Sequence, residues 1–133
     1  MSKENVELVR SIYARWERGD FRSVEWAHPE IEFVIDFDPA SRSARGLAAM
    51  SEVWRAYLGS WDDYRTEVDE YRDLDDERVV VLLHVIGHGK ASGVDLREMR
   101  TSAVNLFHIQ GGKVTRLVLY EAERGLAELG LRE

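Results

Sequence analysis

The chain has 133 residues, 44% of them apolar, and carries 18 basic against 25 acidic side chains for a formal net charge of −7. That length and apolar content support one domain, residues 1–133, whose core buries roughly two thirds of the unfolded surface, and they argue against disorder. The acidic balance without a basic patch argues against nucleic acid or an anionic membrane as partner, and the lack of cysteine removes disulfides, thiolate metal sites and cysteine nucleophiles.

The amino terminus has no basic segment followed by an apolar stretch, and the longest uninterrupted apolar run is Val79 to Leu83. The expectation is therefore a soluble, cytoplasmic protein. Leu8, Val9, Ile12, Tyr13 and Trp16 recur at helical spacing, with Ser2 able to cap the start and Gly19 the end. Asp20 can cap a short second helix carrying Phe21, Val24 and Trp26, which His28-Pro29 would stop. Ile31 to Asp38 alternates as a strand closed by Pro39, and Ala40 to Arg45 reads as a loop. From Gly46, the residues Leu47, Met50, Trp54, Tyr57, Leu58 and Trp61 form one face of a third helix.

Beyond that helix the period changes to two. Tyr64, Thr66 and Val68 alternate, Asp73 to Glu77 makes a turn, and Arg78 to Lys90 is a strand. Ser92-Gly93 marks a connection into the strand Arg97 to Gln110. Gly111-Gly112 closes a hairpin into Lys113 to Glu121, and Leu126, Leu129 and Leu131 predict a short terminal helix. Helices followed by long antiparallel strands describe an α+β fold, a curved antiparallel sheet with about three helices packed on one face. Such a sheet is a cup. Trp16, Trp54, Tyr57 and Trp61 either roof an apolar cavity within it or fill its core, and periodicity alone leaves both readings open.

His84 and His88 lie four residues apart on a strand, about 13 Å, too far to share one metal ion. His84 shares a face with Val80, Leu82 and Ile86, and is either a hydrogen-bonded core histidine or an acid-base group. Gly87 to Ser92 is not a phosphate loop, because His84 and Ala91 stand where glycine and Ser or Thr are needed. Asp36 and Asp38 end the first strand on one face, either as solvated termini or as a coupled pair with a general base. Asn105 shares a face with Met99, Thr101, Ala103 and Phe107, and its amide bonds either to protein or to a ligand oxygen. No nucleophile-elbow motif is present.

The segments VRSIYARWERGDF, HPEIEFVIDFDP followed by RG, and FHIQGGKVTRLVLYEAERGLAELGL resemble the SnoaL-like branch of the nuclear transport factor 2-like superfamily, which includes ketosteroid isomerase. The resemblance implies a cystatin-like roll whose helices close a conical pocket, usually in a homodimer paired through the outer sheet face at Arg100, Ser102, Val104, Leu106 and His108. It aligns Asp38-Pro39 with the isomerase's aspartate base. It places Ile12 and Asn105 at the oxyanion-hole positions, with Tyr13 one residue off register, and Trp54 where a supporting tyrosine stands. Limonene-epoxide-hydrolase chemistry is disfavoured because Leu119 occupies the position of its last-strand carboxylate.

The implied activity is proton transfer, of isomerase or polyketide-cyclase type, on a small hydrophobic carbonyl compound. Asp38 would be the base, His84 the acid or orienting partner, and Asn105 the hydrogen-bond donor. Ile12, Tyr13, Trp16, Trp54, Tyr57, Leu58, Trp61, Leu82, Ile86, Ala103, Leu117 and Leu119 would line the pocket, with Glu121 at its rim. The alternative is a non-catalytic ligand-binding or dimerisation module of the same fold. No cofactor and no metal is expected.

Overall fold

The computed structural model describes residues 2–36, 41–59, 61–89 and 99–130. Helix α1 (Ser2–Glu17) turns Val9, Ile12, Tyr13 and Trp16 inward, as its spacing predicts. Helix α2 (Leu47–Gly59) buries Met50 and Trp54 on its inner side. The short helix expected after Asp20 does not form. Asp20 Oδ1 instead accepts from the backbone N–H groups of Arg22 and Ser23, both at 3.2 Å, while Oδ2 accepts from Ser23 Oγ at 2.9 Å. Those bonds close a local turn, and Trp26 Nε1 adds a bond to the Ser23 carbonyl at 2.8 Å, so the donors that would open a helix are satisfied without one.

Six strands follow the order β2-β1-β6-β5-β4-β3 in one curved, unclosed sheet. They are β1 (Ala27–Asp36), β2 (Arg42–Arg45), β3 (Trp61–Asp75), β4 (Arg78–Gly89), β5 (Met99–Gln110) and β6 (Lys113–Glu121). The sheet is mixed rather than purely antiparallel, because β1 runs parallel to β6, with Phe33 opposite Leu117 and Ile35 opposite Leu119. The cause lies in the connections. β2 folds back on the outer edge of β1, and α2 then carries the chain to β3 at the far edge, leaving β1 to meet the last strand. Between β5 and β6, Gly111 and Gly112 both have positive φ, 58° and 77°, the backbone a two-residue hairpin turn requires.

The sheet is apolar on both faces. Val79, Val81, Leu83 and Val85 of β4, with Phe33, Ile35, Phe107, Leu117 and Leu119, join α1 and α2 in a core on the concave side. Val80, Val104, Leu106, Val118 and Tyr120 form a second cluster on the convex side. Helix α3 (Ala122–Glu128) covers that second cluster, so two helices pack on the concave face and the third on the opposite one. Gly125 permits the contact: a Cβ there would lie 2.8 Å from the Cβ atoms of both Val104 and Tyr120. Val104 and Leu106, both expected at a dimer interface, are thus buried within a single chain. Among the described residues, no helix is long and apolar enough to cross a membrane.

Candidate functional site

The concave side holds a continuous aromatic cluster. Trp16 and Trp54 have ring centroids 5.4 Å apart, Tyr57 stacks on Trp54 at 5.6 Å, and Phe33 meets Trp54 edge-on at 5.6 Å. Tyr57 and Trp61 continue it through Tyr64, at 5.6 and 5.8 Å. Only about 10 Å³ stays open among Trp16, Phe33, Met50, Trp54 and Leu117, about the room of one water. The deep part of the cone is therefore packed core, and Ile12, Tyr13, Leu117 and Leu119 belong to that core.

Within this core a polar pair joins α1 to β5. Asn105 Nδ2 donates to the Tyr13 hydroxyl at 2.6 Å, both residues being buried. Tyr13, not Ile12, therefore faces Asn105, since Ile12 packs wholly in the apolar core. Burial pushes the Tyr13 hydroxyl far above the usual tyrosine range, and the Asn105 hydrogen bond offsets part of that rise. Burial also pushes Tyr57 up to about 12 and Tyr64 well above its ordinary value. All three tyrosine hydroxyls keep their protons at neutral pH.

Open volume lies instead where β6 ends and α3 begins. A recess of about 490 Å³ is lined by Tyr57, Trp61, Val85, Thr101, Ser102, Ala103 and Glu121, with Ala122 and Glu123 at the start of α3. Of the expected pocket residues, Tyr57, Trp61 and Ala103 line it, and Glu121 stands beside them. Trp54 and Leu58 instead line a second cleft of about 540 Å³, together with Phe21, Arg22 and Arg55. Val85 and Thr101 were not anticipated, although both lie on the sheet face that carries Ala103 and Asn105, with Val85 directly opposite Thr101.

Leu82 and Ile86, expected to line the pocket, and His84, expected as acid or orienting partner, lie on the other side of the sheet. Val80 and Leu82 join the convex cluster, and strand alternation places His84 and Ile86 on that same face. β4 is apolar on both sides, so alternation separates its two faces without saying which is concave. Across the convex face His84 meets neighbours from two strands. Its Nε2 lies 3.2 Å from Ser102 Oγ, and its Nδ1 lies 2.7 Å from Asp69 Oδ2. The carboxylate sits off the line of the ring N–H, so this second contact is an ion-pair approach rather than a directed hydrogen bond.

Asp38 lies outside the described residues. Asp36, its neighbour at the end of β1, accepts from Arg124 Nη1 of α3 at 2.7 Å, which makes it an anchor for that helix rather than a base in the cone. The structure thus places His84 and Asn105 on opposite faces of the sheet and does not assemble them into one site.

Residues 9–117 match the profile of the SnoaL-like domain family. No curated protein sequence matches the chain significantly. Among solved structures, a protein of unknown function from Burkholderia pseudomallei K96243, described as NTF2-like, is similar with a TM-score of 0.76 and 17% identity, covering 93% of this chain and 95% of that one. TerC, crystallised with polyporic acid, is similar with a TM-score of 0.75 and 19% identity, over 95% of this chain and 97% of its own. A protein from Jannaschia sp. CCS1, described as a SnoaL-like polyketide cyclase, gives 0.70 and 16% identity, over 95% and 90%. At these identities the likeness is one of fold.

Proposed function

The chain belongs to the SnoaL-like domain family, and we propose that it binds a small, largely apolar molecule in the recess at the mouth of the cone. The observation that carries this reading is the division of space: the deep cone is filled by its own aromatics, while about 490 Å³ stays open between Tyr57, Trp61, Val85 and Ala103. Aromatic and aliphatic walls with a few polar groups, here Thr101, Ser102, Glu121 and Glu123, are the usual make-up of a small-molecule site.

Proton transfer on a hydrophobic carbonyl compound is the second reading, favoured by where β1 ends. Asp36 pairs with Tyr120, one step from Glu121 of the recess, and Asp38 follows two residues later in the sequence. In this reading Asp38 and Glu121 are the carboxylates available as bases. His84 takes no part, and Asn105 acts only through Tyr13.

Native mass spectrometry of freshly purified protein, followed by identification of any retained molecule, tests the binding reading without presuming a ligand. A panel of apolar carbonyl compounds, polyporic acid among them, should quench Trp61 fluorescence saturably. If no member quenches saturably and nothing is retained, the binding reading fails. For the second reading, NMR should show deuterium entering the position next to the carbonyl of a bound compound, and the exchange should stop in Asp38→Asn or Glu121→Gln. Binding without such exchange removes the enzyme reading and keeps the first.

A further inference from the structure

Asp69, His84 and Ser102 sit side by side on β3, β4 and β5, and the order of their atoms is that of an acyl-transfer triad. Ser102 Oγ is 3.2 Å from His84 Nε2, and the other ring nitrogen, Nδ1, is 2.7 Å from Asp69 Oδ2. Such a constellation is recognised by geometry and role, not by sequence position or fold. We propose that Ser102 is a nucleophile activated by His84 and oriented by Asp69, able to accept an acyl group from an ester.

Register makes the grouping possible. Ser102 is directly opposite His84 across β4 and β5, and Glu67, two residues before Asp69, is opposite His84 across β3 and β4. Glu67 is itself held by Arg100, an ion pair that lowers its pKa and leaves Asp69 as the carboxylate at the ring. Asp69 is 45% exposed, and contacts of this kind are commonly loose or poorly aligned until substrate is bound.

The surroundings supply room and a donor. Ser102 is exposed, its hydroxyl lies on the convex face beside His84, and its backbone borders the mouth recess. Strand β6 ends at Glu121 opposite Ala103, so among the described residues Thr101 and Ser102 have no partner on that side of β5. Successive N–H groups of an extended strand point to opposite sides, and one of these two therefore faces the recess edge as a donor for a developing oxyanion.

The chemistry closes without a further reagent than water. Ser102 Oγ bonds to the ester carbonyl carbon while its proton passes to His84 Nε2. The carbon–oxygen bond to the leaving alcohol then breaks, and that oxygen takes the proton from Nε2. Water, deprotonated by His84 in the same way, attacks the acyl-serine, releasing the acid and restoring Ser102.

This inference goes beyond the binding reading and stands apart from it, because acylation is read on Ser102 whether or not any ligand is retained. The probe is p-nitrophenyl acetate with intact protein, followed by tandem mass spectrometry of the modified chain. The expected result is acetyl on Ser102 in preference to the other serines, lost in Ser102→Ala. Acetylation should fall about 10²-fold in His84→Gln and by less in Asp69→Asn, with circular dichroism unchanged. Ser102→Cys should retain acyl transfer. Acetyl spread evenly over surface serines and lysines, or acylation of Ser102 indifferent to His84→Gln, overturns the proposal. So does an unmodified Ser102, whether its chemistry is absent or a second copy of the chain covers it in solution.

Discussion

Asn105 and Tyr13 lie 92 residues apart in the sequence, yet the amide of one donates to the hydroxyl of the other at 2.6 Å inside a largely apolar core. The pair fastens α1 to the centre of the sheet. Removing the hydroxyl strands a buried amide N–H, a loss of about 1–3 kcal/mol. Tyr13→Phe should therefore lower the urea midpoint clearly, and Tyr13→Phe with Asn105→Leu should cost less than the sum of the two single changes. Additive losses would show that the two groups do not depend on each other.

Alanine is normally the better helix former by about 1 kcal/mol, so Gly125→Ala in α3 should stabilise a free helix. Here the new methyl would meet the Cβ atoms of Val104 and Tyr120 at 2.8 Å, positions set by backbone rather than by movable side-chain ends. The expected outcome is a net destabilisation of about 1–3 kcal/mol, with α3 cut earlier by trypsin at Arg124. An unchanged or raised melting temperature would mean that α3 does not pack as described.

Tyr57 holds its proton up to about pH 12 in the folded state because burial penalises the phenolate. An unfolded tyrosine releases it near pH 10. Above that value the unfolded chain binds fewer protons than the native one, so stability falls as pH rises. The contribution is fully present below about pH 10 and is lost as the pH climbs through the folded value. Tyr13 and Tyr64, raised for the same reason, act in the same direction. Urea midpoints should be flat from about pH 7 to 9 and drop beyond about pH 10, less steeply in Tyr57→Phe. A slope that Tyr57→Phe leaves unchanged would place Tyr57 in solvent.

Thr101 lines the mouth recess and is itself exposed, so a larger side chain fits there without disturbing the core. Thr101→Trp should keep stability within about 0.5 kcal/mol of the parent while filling the space between Trp61 and Val85. Saturable quenching by any compound that binds the parent should disappear. Unchanged affinity would move the ligand elsewhere, the cleft between Phe21 and Arg55 being the next place to look.

Much of the fold was legible in the pattern of residues. The stripe Val9, Ile12, Tyr13, Trp16 specifies α1, and two consecutive glycines specify the last hairpin, because both signals are local. β2 was not legible: its residues Arg42 to Arg45 are mostly exposed and carry no apolar alternation, so only its pairing with β1 makes it a strand. The parallel partner of β1 was equally hidden, since a period of two fixes a strand's faces and not its neighbour. The site was legible in part. Trp61, Tyr57, Ala103 and Glu121 line one opening, whereas alternation alone does not choose the face of His84, because α3 makes the convex side apolar as well.

The parallel pairing of β1 with β6 also sets an order of events during synthesis. β1 and β2 leave the ribosome early, but the strand that ties them to the rest of the sheet is the last one made. Until β6 arrives, Phe33 and Ile35 lack the Leu117 and Leu119 neighbours they face in the sheet, and β1 and β2 have α2 to pack on but no tie to β5. Contacts between such distant segments form slowly. A fragment ending at Gln110 should accordingly leave residues 27–45 open to proteases while the β3–β4–β5 segment resists them. The first two strands of the sheet are then the last to be secured.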